Sequence, residues 1–168
     1  GTLAYPVDWV DRFHGDFPVV NGKVAPYFEV TRGKYRLRLL NGSTSRVYNL
    51  SLSSGQPFVQ IGTDGGLLPE AVVRNEILLT PGERADVIVD FEALETGTEI
   101  LVLNSAGAPG GEEQMPELMK IVVTGGAAFT DPVPATLRPI EVLDEDDASM
   151  ERDFELAKTT DECTGSIW

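Results

Sequence analysis

Lys34-Tyr35-Arg36-Leu37-Arg38-Leu39-Leu40 is the stretch that decides the fold. Tyr35, Leu37 and Leu39 alternate with Lys34, Arg36 and Arg38, so an extended chain presents one apolar face to a core and one charged face to solvent. Asn41-Gly42-Ser43 then supplies turn chemistry before residues 47–52, where Tyr48, Leu50 and Leu52 share one side. The two segments read as neighbouring strands.

The same texture extends in both directions. Residues 58–61, 71–73, 76–79, 85–91, 99–104 and 117–123 are short runs rich in Val, Ile, Leu and Phe, separated by Gly and Pro clusters such as Gly62-Thr63-Asp64-Gly65-Gly66 and Pro81-Gly82. Upstream, residues 17–20 and 27–30 read as two more strands joined by an Asn21-Gly22 turn. Around nine short strands at this spacing imply an all-β sandwich of two packed antiparallel sheets with Greek-key links. Beyond Thr124 the texture changes to Gly125-Gly126, then Pro132, Pro134 and Pro139, then Asp144-Glu145-Asp146-Asp147. The chain therefore divides into a domain at 1–124 with its core at 13–123, a Pro-rich and acidic linker at 125–149, and a remainder at 150–168. Residues 150–157 read as one stray strand, the opening of a following domain that is truncated.

Composition narrows the function. With 13 basic against 27 acidic residues the net charge is −14, which repels phosphate backbones, so nucleic acid is not an expected partner. Nor is a membrane, because no run approaches the roughly 18 consecutive apolar residues that span a bilayer. Cys163 is the sole cysteine and His14 the sole histidine. A cupredoxin-type copper site needs two imidazoles and a thiolate, and a structural zinc site needs four such ligands, so neither assembles from this chain. No metal and no other cofactor is expected in it.

The remaining chemical candidates have structural readings beside them. His14 reads as a surface or interface residue before it reads as a ligand. Asp144 to Asp147 could attract calcium, but the required glycine is missing and Ala148 replaces the next ligand, so a solvated charge run is the simpler reading. Gly62 to Gly66 lacks the Lys-Ser/Thr ending of a phosphate loop and reads as a turn. Arg84 and Asp86, after Pro81-Gly82, could pair or cap loop carbonyls, while a catalytic carboxylate at Asp86 or Asp90 lacks an identifiable partner. Asn41-Gly42-Ser43 and Asn49-Leu50-Ser51 match the glycosylation pattern, which occurs often by chance.

Taken as an ordered series, Val20-Asn21-Gly22-Lys23-Val24-Ala25-Pro26-Tyr27, Lys34 to Ser43, Gln60-Ile61-Gly62-Thr63-Asp64-Gly65-Gly66-Leu67-Leu68 and Pro81-Gly82-Glu83-Arg84-Ala85-Asp86-Val87-Ile88-Val89-Asp90-Phe91 resemble the multicopper oxidases. The resemblance is to the group of bacterial spore-coat laccases, bilirubin oxidases and phenoxazinone synthases, and it covers residues 13–123. It implies the second of three cupredoxin domains, whose neighbours in the same chain hold a mononuclear copper and a trinuclear cluster through His-x-His and His-Cys-His motifs absent here. It implies that the intact enzyme oxidises phenolic donors one electron at a time and reduces O2 to water, the middle domain being a scaffold, inactive alone. By position it implies a donor-pocket wall from Arg12, Phe13 and His14, from Ser45, and from Gly107, Ala108 and Pro109. The flanking domains are the expected partners, and their absence would leave surface that favours self-association. The alternative reading is a free-standing β-sandwich module that binds carbohydrate or protein.

Overall fold

In the computed structural model, which describes residues 14–107 and 115–155, the alternation at 34–40 becomes a strand with the same bounds. The described residues form eleven strands: β1 (Val19–Val20), β2 (Lys23–Val24), β3 (Tyr27–Arg32), β4 (Lys34–Leu40), β5 (Tyr48–Leu52), β6 (Phe58–Thr63), β7 (Gly66–Arg74), β8 (Ile77–Leu79), β9 (Arg84–Asp90), β10 (Glu99–Asn104) and β11 (Glu117–Ala127). One sheet has five strands in the order β3-β11-β10-β5-β8, and the other has four in the order β4-β9-β6-β7. Successive strands mostly change sheets, which is the Greek-key pattern expected from the strand spacing.

Each sheet has one apolar face, and the two faces close on each other. On β9 every second residue, Ala85, Val87 and Val89, is buried, and Phe91 just beyond it is fully enclosed. Tyr35, Leu37 and Leu39 of β4 pack against the same cluster, the Tyr35 ring standing edge-on to Phe91 at 5.8 Å between centroids. Val30, Leu50, Leu52, Ile100, Ile121 and Val123 supply the opposite face. The parity of β11 shifts between Leu118 and Ile121 because the ladder with β10 slips between Val102 and Leu103. The bulge turns Leu118 inward as well.

Pairing departs from the sequence expectation at three places. β4 and β5 are consecutive but lie in different sheets, β4 beside β9 and β5 between β10 and β8. Asn41 and Gly42 are not among the positive-φ residues that a two-residue hairpin turn needs, so the chain crosses over instead of doubling back. Asn21 and Gly22 do have φ of 49° and 79°, and they close a hairpin, but its arms are β1 and β2. β3 pairs with β11, and that pair is parallel. A parallel pair needs a long crossover, and nearly the whole domain lies between these two strands.

The C-terminal stretch is more ordered at its start than its composition implies. β11 continues to Ala127, and the chain then stays on the domain: Ala128 N donates to Arg32 O (2.7 Å), Lys34 N to Phe129 O (2.6 Å) and Lys34 Nζ to Thr130 O (3.0 Å). Further on, Thr136 bridges Glu70 on the edge of β7, and Leu137 N donates to Pro69 O at 2.8 Å. Asp144 caps a single turn of 3-10 helix at Glu145–Asp147. The stray strand expected at 150–157 has no ladder over its described part, 150–155, since among the described residues no strand pairs with it to complete the hydrogen bonds. Residues 156 and 157 lie outside the described residues.

Gly33, at φ +147°, makes the docking of the linker possible. A β-carbon there would stand 2.8 Å from both Ala128 Cβ and Phe129 O. Gly33→Ala is expected to lower stability by about 1–3 kcal/mol in urea denaturation and to speed limited proteolysis between residues 128 and 138. Unchanged cleavage would show that this contact does not hold the linker.

Candidate functional site

At the end of β4 the chain must leave one sheet and enter the other, and Asn41 controls the crossing. Its side chain is 2% exposed, yet all its polar atoms are satisfied. Nδ2 donates to Arg46 O (2.7 Å) and Leu79 O (3.0 Å), while Oδ1 accepts from Ser43 N (3.0 Å) and Ser43 Oγ (2.6 Å). Its backbone N donates to Glu83 O and its carbonyl accepts from Gly82 N. One residue thus joins β4, the 41–47 loop, the end of β8 and the turn before β9.

The 41–47 loop meets two other segments. Arg46, buried like Asn41, sends Nη2 to Gly15 O at 3.0 Å, which brings the chain ahead of β1 to this end of the sandwich. β5 starts beside the end of β10, so Ser105 N donates to Asn49 O and the buried Asn104 accepts from Asn49 N through Oδ1 at 2.9 Å. Asn104 Nδ2 reaches Met115 O at 3.1 Å and so spans the base of the loop after β10. Segments 14–15, 41–47 and 105–107 therefore gather at one end of the five-stranded sheet. His14 and Ser45 are half-buried there, and Gly107 is exposed with open space around it. Arg12, Phe13, Ala108 and Pro109 lie outside the described residues. Sequence reasoning passed over Arg46 and Asn104, because a polar residue next to an apolar strand looks like surface. The Asn-Gly-Ser sequence at Asn41 signals turn chemistry and a glycosylation-pattern match, and neither reveals its burial.

The donor set does not fit copper. His14 is the only imidazole of the chain, and among the described residues no group of three or more His, Cys, Asp or Glu could hold a metal ion. Asp144 to Asp147 form the exposed 3-10 turn. Among the described residues no helix is long and apolar enough to cross a membrane.

No protein-family model matches the chain. It is 48% identical over 124 residues to a laccase of Bacillus subtilis, covering 73% of this chain and 24% of that protein. It is 53% identical over 95 residues to the cell division protein FtsP of Xenorhabdus nematophila, covering 56% of this chain and 20% of that one. Among solved structures, a variant of the McoA multicopper oxidase of Aquifex aeolicus superposes with a TM-score of 0.75 at 35% identity, over 86% of this chain and 33% of that one. The chain belongs to the multicopper oxidases. Its fold is the cupredoxin-like sandwich of that family, and it spans a third or less of the length of these relatives.

Asp64, Asp86 and Asp90 are engaged in the framework of this multicopper oxidase domain. Asp86 receives Nε and Nη2 of Arg36 across the β4–β9 ladder, whereas Arg84 pairs with Asp64 at 3.2 Å and caps the loop carbonyl of Gly82 through Nη1 at 3.1 Å. Asp90 meets Lys34 Nζ at 3.1 Å and accepts from Glu92 N. Of the two glycosylation-pattern asparagines, Asn41 is enclosed, whereas Asn49 bonds Glu76 and Ser105.

The hydrogen bonds from Arg36 hold the Asp86 carboxyl below its ordinary value of 3.8, against an opposing effect of partial burial. A lowered folded value means that the pair's stabilisation is complete above 3.8 and is lost as pH falls through the folded value. Asp86→Asn is expected to cost about 1 kcal/mol at neutral pH, and its denaturation midpoint should converge with that of the parent in acid. Asn41→Ala, which withdraws two donors from enclosed carbonyls, is expected to cost about 2 kcal/mol in the same measurement.

Proposed function

We propose that this chain is the middle, copper-free domain of a laccase-like oxidase, and that the loops at 14–15, 41–47 and 105–107 form one wall of its donor pocket. In the intact protein, phenolic donors give up single electrons to copper held by the flanking domains, and O2 is the final acceptor. This chain holds those domains apart and closes one side of the pocket. The observation that carries the reading is a laccase-like sandwich with a single imidazole, in a chain that covers only 24% of the Bacillus subtilis laccase. The side chains of Phe17, Val19, Val24 and Tyr27 around the β1–β2 hairpin, and of Val142, Leu143 and Phe154 in the linker, are exposed, which supports burial against further domains. The same surface would favour self-association of the isolated chain.

The match to a cell division protein supports a second reading, a parent of this family that serves in cell division. Copper analysis separates the two. The isolated chain is expected to take up no copper saturably, to show no intense visible band and to leave guaiacol unoxidised. The full-length protein is expected to bind copper and to oxidise guaiacol. Saturable uptake with such a band by the isolated chain would overturn the copper-free assignment. A full-length protein that binds no copper would favour the cell-division reading.

A further inference from the structure

We infer that Arg46 is a positioning residue for the donor pocket, fixing the gap between the 41–47 loop and the segment that carries His14; this rests on the pocket-wall reading above. The side chain is 7% exposed, and its Nη2 donates to the carbonyl of Gly15 at 3.0 Å. From behind, the Arg46 carbonyl is gripped by Asn41 Nδ2 at 2.7 Å and Ser43 Oγ at 2.8 Å. The residue is therefore held at its backbone by the crossing between the sheets and bound at its tip to the incoming chain. Ser45 and His14, the two half-buried candidates for the pocket wall, are each one residue from an end of this link.

Burying a charge is costly, and an apolar side chain of similar volume commonly serves a folded core as well or better. What the guanidinium adds is direction, because its planar fork reaches across a loop boundary to the Gly15 carbonyl, which belongs to a segment with no ladder of its own at this point. Small displacements of groups that orient a substrate weaken its binding without touching the reacting centre.

The test uses the full-length oxidase with guaiacol as donor, comparing Arg46→Met, Arg46→Lys and the probe Ser45→Trp, each checked for copper content and melting temperature. Arg46→Met is expected to raise KM for guaiacol about tenfold, with kcat and copper content near the parent's, and Arg46→Lys to recover part of the loss. Ser45→Trp is expected to raise KM as well. If Ser45→Trp raises KM while both Arg46 variants keep the parent's value, the positioning role is overturned and the pocket wall stands. If none of the three shifts KM, both are overturned. Loss of copper and of kcat in proportion in both Arg46 variants would also overturn it, since that marks a residue needed only for folding.

Discussion

The buried carboxamide of Asn41 is the constraint on which the rest depends. A two-sheet sandwich must pass its chain repeatedly from one sheet to the other, and each passage leaves backbone polar groups that no ladder satisfies. At the exit of β4 that accounting is closed within one side chain, which serves Arg46 O and Leu79 O as donor and Ser43 as acceptor. The end of one sheet is thereby tied to the end of the other. The loop that crosses between them takes a defined shape, and Arg46 is carried to Gly15.

The candidate site is a by-product of that crossing. Sandwich loops cluster at the two ends of the sheets because strands run the full height of the core and turn only there. Pairing of Asn49 with Ser105 sets the 105–107 loop beside the 41–47 loop, and Arg46 adds the segment at 14–15. The side chains brought together there include the Arg46 guanidinium, the Asn104 carboxamide and the half-buried His14 and Ser45. Asp86 and Asp90, the two carboxylates weighed for catalysis from the sequence, are paired with Arg36 and Lys34 along the β4–β9 ladder.

The linker holds two characters in one stretch. Residues 128–138 lie against the domain through Gly33, Lys34 and the edge of β7, whereas Val142 and Leu143 further on are almost wholly exposed. Composition alone reported the whole of 125–149 as tether, because Pro and Gly mark the absence of helix and strand periodicity without revealing whether carbonyls are satisfied by a neighbour. The cover given to the β7 edge also removes an open row of hydrogen-bonding groups.

The sequence by itself determined where most strands lie and which face β4 and β9 bury, because side-chain direction alternates along an extended chain; the bulge that turns Leu118 inward and the full length of β7 were not legible in it. β4 and β10 kept their expected bounds, and one histidine cannot supply the two imidazoles of a mononuclear copper site. Only the tertiary structure decided that β4 and β5 part company, that β3 runs parallel to β11, and that Arg46 reaches Gly15. Partner choice depends on hydrogen bonds between segments far apart in the chain. No local period encodes those bonds.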